Sequence, residues 1–224
     1  RGFNKAINIW GTDHHGDVPR LKAGVAALGY DASRLEILLH QLVMLKQKDK
    51  KLKISKRAGN LVLLDDLLTE VGKDPVRFFF LTRDLNTHME FDVELAKEQS
   101  KQNPVFYIQY SFARLSSIFQ KAGGLPELND SQLQLLKEEE ELKLLRSVTK
   151  FPDLMEEIAE NYHVHHLAQY TLDLASDFHK FYEKQRVIND NAEIQSARLL
   201  LSEAVRKVLA MCLGLMGLSA PEKM

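Results

Sequence analysis

With 224 residues, a net charge of −1, 45% hydrophobic and 27% charged side chains, the chain has the makeup of an ordinary globular protein, long enough for one large domain or two small ones. The near-zero charge excludes a global field for nucleic acid, so any such affinity has to come from local patches. The single Cys212 excludes an internal disulfide framework and fits a reducing compartment; the longest apolar run, from Val208 to Leu218, is too short and too glycine-containing to span a bilayer, and no signal-peptide pattern opens the chain.

The chain starts at Arg1 and runs directly into a strand-like segment, "AINIW" (Ala6 to Trp10), which suggests a piece of something longer. "WGTDHHG" (Trp10 to Gly16) follows where strand should turn into helix. Gly11 and Gly16 permit close backbone approach, Asp13 can accept from ribose hydroxyls or from an amino or guanidinium group, and His14 and His15 can donate to phosphate or move a proton. The plainer reading of the same residues is an Asp helix cap with two surface histidines. "DVPRLKAGVAALGY" then places Val18, Leu21, Val25 and Leu28 at helical spacing and stops at Gly29. "LEILLHQLVML" (Leu35 to Leu45) is dense enough in Leu, Ile and Val for a buried strand, with a buried helix as the alternative. Strand, helix, strand makes a βαβ unit, whose ligand would sit beyond the carboxyl ends of the strands.

The next stretch is basic: Lys48, Lys50, Lys51, Lys53, Lys56 and Arg57 stand against a lone Asp49. Such a run is commonly a solvated loop or helix face. Lys53 and Lys56 on either side of Ser55 also suit the oxygens of a triphosphate as the α–β bond breaks, and Gly59 would let the loop move. The GxxxxGK[ST] pattern of a P-loop is absent.

From about Asp65 onward the pattern is helical. "DDLLTEVG" carries Asp65 and Asp66 in a first turn and closes at Gly72; "DPVRFFFLTR" reads as Asp74 at the N-cap and Pro75 at the first helical position. Asp92 begins "DVELAKEQSKQ". Asn103-Pro104 starts a longer helix with Val105, Ile108, Phe112, Leu115 and Phe119 in one apolar stripe. A loop at Gly123-Gly124, the charged "KEEEELK" read as an exposed stretch, and helices over about 131–149, 153–184 with a break, and 193–213 complete an all-helical bundle. Phe78, Phe79, Phe80, Phe112 and Phe178 are candidate core. No internal repeat is visible.

"KISKRAGN" resembles the second signature motif of class I aminoacyl-tRNA synthetases, usually written KMSKS, in the version found in bacterial-type arginyl-tRNA synthetases. The resemblance covers almost the whole chain, through "IWGTDHHGDVPRLKAGVAALGY", "LLDDLLTEVGKDPVRFFFLTRD", "FDVELAKEQSKQNPVFYIQYSFARL", "DFHKFYEKQRVI" and the ending "VLAMCLGLMGLSAPEKM". Ile54 replaces the usual Met and keeps an apolar anchor. Leu63 replaces a Thr that would cap the following helix, a loss of about 0.5–2 kcal/mol unless Asp65 or Asp66 caps instead. The family's first signature, His-x-Gly-His, is absent; "HVHH" (His163 to His166) lies in the helical region and reads as surface or interhelix histidines.

The resemblance implies an α/β plus all-α fold: residues 1–62 as the second half of a Rossmann-type catalytic domain with the signature loop at 52–60, residues 63–90 as a stem-contact connector, and residues 91–224 as a helical anticodon-binding domain. It implies the C-terminal part of a cytoplasmic, monomeric ligase that activates L-arginine with ATP and Mg²⁺ and passes the arginyl group to tRNA(Arg), with no permanently bound cofactor or protein metal site and no membrane. A part lacking the first signature is not expected to aminoacylate alone. Lys56 would stabilise the phosphoryl charge, with Lys53 helping and Ser55 orienting loop or phosphate. Gly11, Asp13 and His14 would serve the ribose or amino-acid pocket, the backbone at Val43 and Met44 would lie near adenine, and Gly59 would give the loop its freedom. Tyr107, Tyr110 and Arg114, on one helix face, with Tyr182, Arg186 and the Met224 carboxylate, would hold anticodon bases by stacking and edge hydrogen bonds. The alternatives are a tRNA-binding paralogue without catalysis and another class I synthetase of similar architecture.

Overall fold

The computed structural model describes residues 2–47, 50–52, 63–125, 127 and 130–224. Lys53, Ser55, Lys56 and Gly59, and with them the signature loop, lie outside the described residues. Two compact units emerge: Arg1–Val62 with Arg83–Val93, and Leu63–Thr82 with Glu94–Met224. Residues 63–90, expected as one connector, are therefore divided between them.

In the first unit, β1 (Ala6–Gly11) ends at a 3₁₀ turn (Thr12–Asp17) that feeds α1 (Val18–Ala27), and β2 (Leu35–His40) returns parallel to β1 with Ala6 opposite Leu35 and Gly11 opposite His40. Gly29 follows α1 with φ +83°, a left-handed conformation that costs glycine little. Arg34 secures the start of the unit by donating to the backbone carbonyls of Phe3 and Asn4. The βαβ reading therefore describes the local fold, but β1 keeps Ile7 and Ile9 largely exposed, unlike a parallel strand covered on both faces.

The apolar run read as one strand is two. After His40 the chain leaves the first sheet; the Gln41 N–H donates to the Leu85 carbonyl at 2.8 Å, and β3 (Val43–Gln47) enters a second sheet of order β4-β3-β5. β4 (Lys50–Leu52) pairs with β3 antiparallel and β5 (Met89–Asp92) pairs with it parallel, Leu45 facing Phe91 in register. The region after Asp65 is thus not wholly helical.

The second unit is a helical bundle. α2 (Leu64–Val71) has Leu63 at its N-cap with no side-chain cap, so Asp65 and Asp66 contribute charge to the first turn without replacing the lost Thr. α3 (Lys73–Leu81) begins after Gly72, not after Asp74. Asp74 instead accepts from Gln109 Nε2 at 2.8 Å, from the Ser219 N–H at 3.0 Å and from the Ser219 hydroxyl, clasping the terminal segment. α4 (Val93–Lys97) is a short turn of helix. α5 (Pro104–Ala122) is capped by Asn103, whose Oδ1 accepts from the Val105 N–H while its Nδ2 donates to the Ala96 and Glu98 carbonyls. α6 (Asp130–Leu133), α7 (Glu139–Thr149), α8 (Phe151–Asn161), α9 (His165–Lys184) and α10 (Ala192–Met216) follow. The break between α8 and α9 is Tyr162, which sits in the left-handed region at φ 61°.

The core of this unit gathers Phe78, Ile108, Leu115, Leu144, Leu174, Phe178, Phe181, Leu209 and Leu213, all at most 1% exposed. The expected α5 stripe is buried from Val105 to Leu115, with Phe119 half-buried, and Phe79 and Phe80 are half-buried rather than core. The charged "KEEEELK" is not a wholly exposed stretch: Glu141 is 1% exposed and meets Arg198 Nε at 2.7 Å. Its other oxygen accepts from the Lys137 and Glu138 N–H groups at the start of α7.

Candidate functional site

At the carboxyl edge of the β1–β2 pair, Gly11 leaves room that a side chain would fill: a Cβ there would lie 2.5 Å from Asp13 Oδ1. Asp13 is neither the cap of the 3₁₀ turn nor that of α1; those positions are Gly11 and Asp17. Its carboxylate is mostly open to solvent, 3.8 Å from His14 Nε2, while His14 Nδ1 lies 3.4 Å from Asp17 Oδ2 and the Trp10 ring meets the His14 ring edge-on. Thr12 donates to Gln41 Oε1 at 3.2 Å, joining this turn to the point where β2 ends. Val43 and Met44 follow at the start of β3, Met44 37% exposed. Gly11, Asp13, His14 and the Gln41 turn therefore share one sheet edge.

The helical unit carries the second constellation, on α5 and α9. Two neighbouring rings are nearly parallel to that of Tyr110: Phe106 at 6.4 Å and 9°, and His179 at 5.9 Å and 11°. Tyr107 packs on the same histidine at 4.7 Å. The Ser111 hydroxyl donates its one proton to the Tyr107 carbonyl at 2.8 Å, so the contact at 2.9 Å is His179 Nε2–H donating to Ser111 Oγ. Burial holds His179 below the ordinary histidine pKa, and the charges of Lys101 and Arg114 act in the same direction while Glu183 opposes them. Burial and the two cations favour the neutral form of the ring, and the Ser111 contact favours the tautomer with the proton on Nε2. Burial also raises the Tyr107 phenol above its usual pKa, against hydrogen bonding by Ser176.

One turn further along α5, Arg114 donates to the Tyr182 hydroxyl at 2.9 Å with its guanidinium carbon 4.8 Å from the ring centroid. Arg114, Lys121, Tyr182, Arg186, Val187 and Ile188 line a cavity of about 250 Å³. The structure thus brings together Tyr107, Tyr110, Arg114 and Tyr182, with Arg186 on the wall of that cavity. Met224 does not line that cavity; it lies in a groove with Gln109, Lys97 and Phe106, the ring next to Tyr110. Phe106 and His179 are members that sequence reading missed. Phe106 was detectable as the residue one turn before Tyr110, and His179 as the residue three before Tyr182.

The histidines of "HVHH" cluster at the α8–α9 turn, where His166 Nδ1 lies 3.5 Å from Glu157 Oε1. Among the described residues no group of three or more His, Cys, Asp or Glu is placed to hold a metal ion, and no helix is long and apolar enough to cross a membrane.

Comparison with known proteins gives consistent results. The model of the DALR anticodon binding domain matches residues 108–224. An arginine–tRNA ligase of Desulforamulus reducens is 47% identical over 228 residues, covering all of this chain and 41% of that protein. A solved Campylobacter jejuni chain assigned as an arginyl-tRNA synthetase superposes with a TM-score of 0.82 at 34% identity, covering all of this chain and 49% of its own length. The Thermus thermophilus arginyl-tRNA synthetase shares the fold, with a TM-score of 0.78 at 23% identity over 99% of this chain and 41% of its own. The chain spans about two-fifths of the length of the curated relatives it matches.

Proposed function

Because the chain belongs to the DALR anticodon-binding domain family, we propose that its helical unit reads the anticodon of tRNA(Arg) as part of an arginine–tRNA ligase. The observation that carries this reading is the row of near-parallel rings Phe106, Tyr110 and His179 beside the Arg114–Tyr182 pair. Tyr110 is exposed at 37%, enough to offer a face to an unstacked base, while its neighbours are pinned by packing and by the Ser111 hydrogen bond. Stacking of this kind accepts any base; edge recognition comes from the Arg114 guanidinium, the Tyr182 hydroxyl and the adjoining cavity.

The β1–α1–β2 unit is the corresponding half of a Rossmann-type nucleotide-binding domain. In the proposed parent reaction the carboxylate of L-arginine attacks the α-phosphorus of ATP, pyrophosphate leaves, and the arginyl group passes to the terminal adenosine of tRNA(Arg). Asp13 would accept from the adenosine ribose or the amino-acid substrate at the sheet edge where Gly11 allows close approach. Lys56, Lys53 and Ser55 would act on the phosphates. Mg²⁺ would arrive with those phosphates, as it commonly does at nucleotide sites.

Tyr110→Ala tests the anticodon reading. Loss of one stacking ring is expected to weaken cognate tRNA(Arg) by about 1–3 kcal/mol in a filter-binding or fluorescence titration, leaving the salt-sensitive background unchanged. Equal, purely salt-driven binding of cognate and non-cognate tRNA, unaffected by the substitution, would mean that this face is only a core edge.

A further inference from the structure

The α7 and α9 helices enclose a groove of about 580 Å³ lined by Lys143, Arg146, Lys150, Lys180, Asp173 and Asp177 among others. We propose that this groove is a track for the phosphodiester backbone of the RNA whose bases lie on the α5–α9 face; the proposal rests on the anticodon reading above.

Both carboxylates in the groove already have donors. Asp177 accepts from Lys143 Nζ at 2.8 Å and from the Ser147 hydroxyl at 2.8 Å, and Asp173 accepts from Gln169 at 3.0 Å. Arg146, Lys150 and Lys180 are exposed and have no carboxylate partner among the described residues. Gln169 is neutral and leaves the Asp173 charge in place, so four lining cations against two carboxylates give a net surplus of two, which is the arrangement that attracts a polyanion and releases its counterions. Arg146 in the last turn of α7 and Lys150 at its C-cap stand about 6 Å apart along the axis, with Lys180 on the opposite wall. Cations spread in this way meet successive phosphates along a strand; they do not converge on a single anion.

The groove also adjoins the aromatic face. Ser176 lines the groove and lies beside the Tyr107 phenol, and Lys180 follows His179 directly in α9. One ridge of α9 thus separates rings suited to bases from cations suited to phosphates, and a single RNA strand crossing the ridge satisfies both.

The test uses the chain as it stands, with tRNA(Arg) and a non-cognate tRNA titrated from low to physiological salt. Arg146→Ala with Lys150→Ala removes two cations from exposed positions and is expected to leave the thermal melt unchanged. The plot of log affinity against log salt should become shallower by about 1–2 units, at about 0.7–0.9 per phosphate contact. Affinity for both tRNAs should fall by the same factor, on the order of tenfold at low salt, so that the cognate preference survives. Lys180→Ala alone should lower the slope by about half as much, and Arg146→Lys with Lys150→Arg should restore it. Inorganic phosphate, a single-anion probe, should displace RNA no more than an equal ionic strength of chloride does. An unchanged slope in both alanine variants would overturn the proposal, as would phosphate competing specifically. The anticodon reading fails separately, if the unmodified chain shows no cognate preference at all.

Discussion

Glu141→Ala is expected to destabilise the helical unit by about 3–5 kcal/mol, because it leaves the Arg198 guanidinium buried without its counter-ion. The Glu141 side chain is 2% exposed and that of Arg198 10%, so water cannot replace the lost carboxylate. The same substitution strips the acceptor from the Lys137 and Glu138 N–H groups at the start of α7. Arg198 keeps two other acceptors, the Arg186 carbonyl at 2.8 Å and Gln185 Oε1 at 2.7 Å, which tie it to the segment leaving α9. Urea unfolding of Glu141→Ala, Arg198→Met and the double variant Glu141→Leu/Arg198→Met separates the contributions. Each single change should lower the midpoint strongly and the double variant should recover the part due to an unpaired buried charge, but not the part due to the Lys137 and Glu138 N–H groups and the Arg186 carbonyl that lose their partners. A single variant that melts like the parent would show the pair to be a surface contact of little weight.

Phe178→Ala is expected to cost a further set of interactions, about 3–5 kcal/mol of stability, and to weaken recognition as well. Phe178 is fully buried on α9, and its ring lies 5.5 Å from that of His179 and 5.8 Å from that of Tyr182. It therefore supports from beneath two members of the proposed base-reading face. The truncation opens a cavity that the surrounding helices close only in part, so His179 and Tyr182 lose the surface that fixes them. Phe178→Leu, which keeps most of the volume, should show a smaller loss of stability and nearly full tRNA binding. A Phe178→Ala protein that stays folded at low temperature and binds cognate tRNA as tightly as the parent would separate the core from the reading face and contradict this account.

Local features were the most legible in the sequence. The β1 strand, α1 with its glycine exit, and the Asn103-Pro104 start of α5 are written in residues that lie next to one another, and the structure places them where the pattern does. Features that depend on distant partners were not. "LEILLHQLVML" reads as one apolar run, but Gln41 pairs with Leu85 and β3 with β5, more than forty residues on. β5 itself alternates Met89 and Phe91 inward with Glu90 outward, a period-2 signal only four residues long. Pro75 makes Asp74 look like a cap from the local sequence; its real partners, Gln109 and Ser219, belong to other parts of the chain. "KEEEELK" looks solvated from its own residues because the cation that draws Glu141 inward is Arg198, fifty-seven residues later. At the candidate site, Tyr107, Tyr110 and Arg114 were legible as one helix face. His179 is legible only as a neighbour of Tyr182 on α9; its meeting with α5 is not, because no local spacing joins the two helices.

The most direct measurement is the affinity of this chain for tRNA(Arg) against the same tRNA with only its anticodon replaced, at physiological salt. Backbone charge, length and stem are then identical, so the ratio reports base reading alone. The account predicts at least a tenfold preference for the native anticodon, about 1.4 kcal/mol, on the order of one good base contact. Equal affinity for the two would contradict it, and would leave the Tyr110 face as packing at the margin of the bundle.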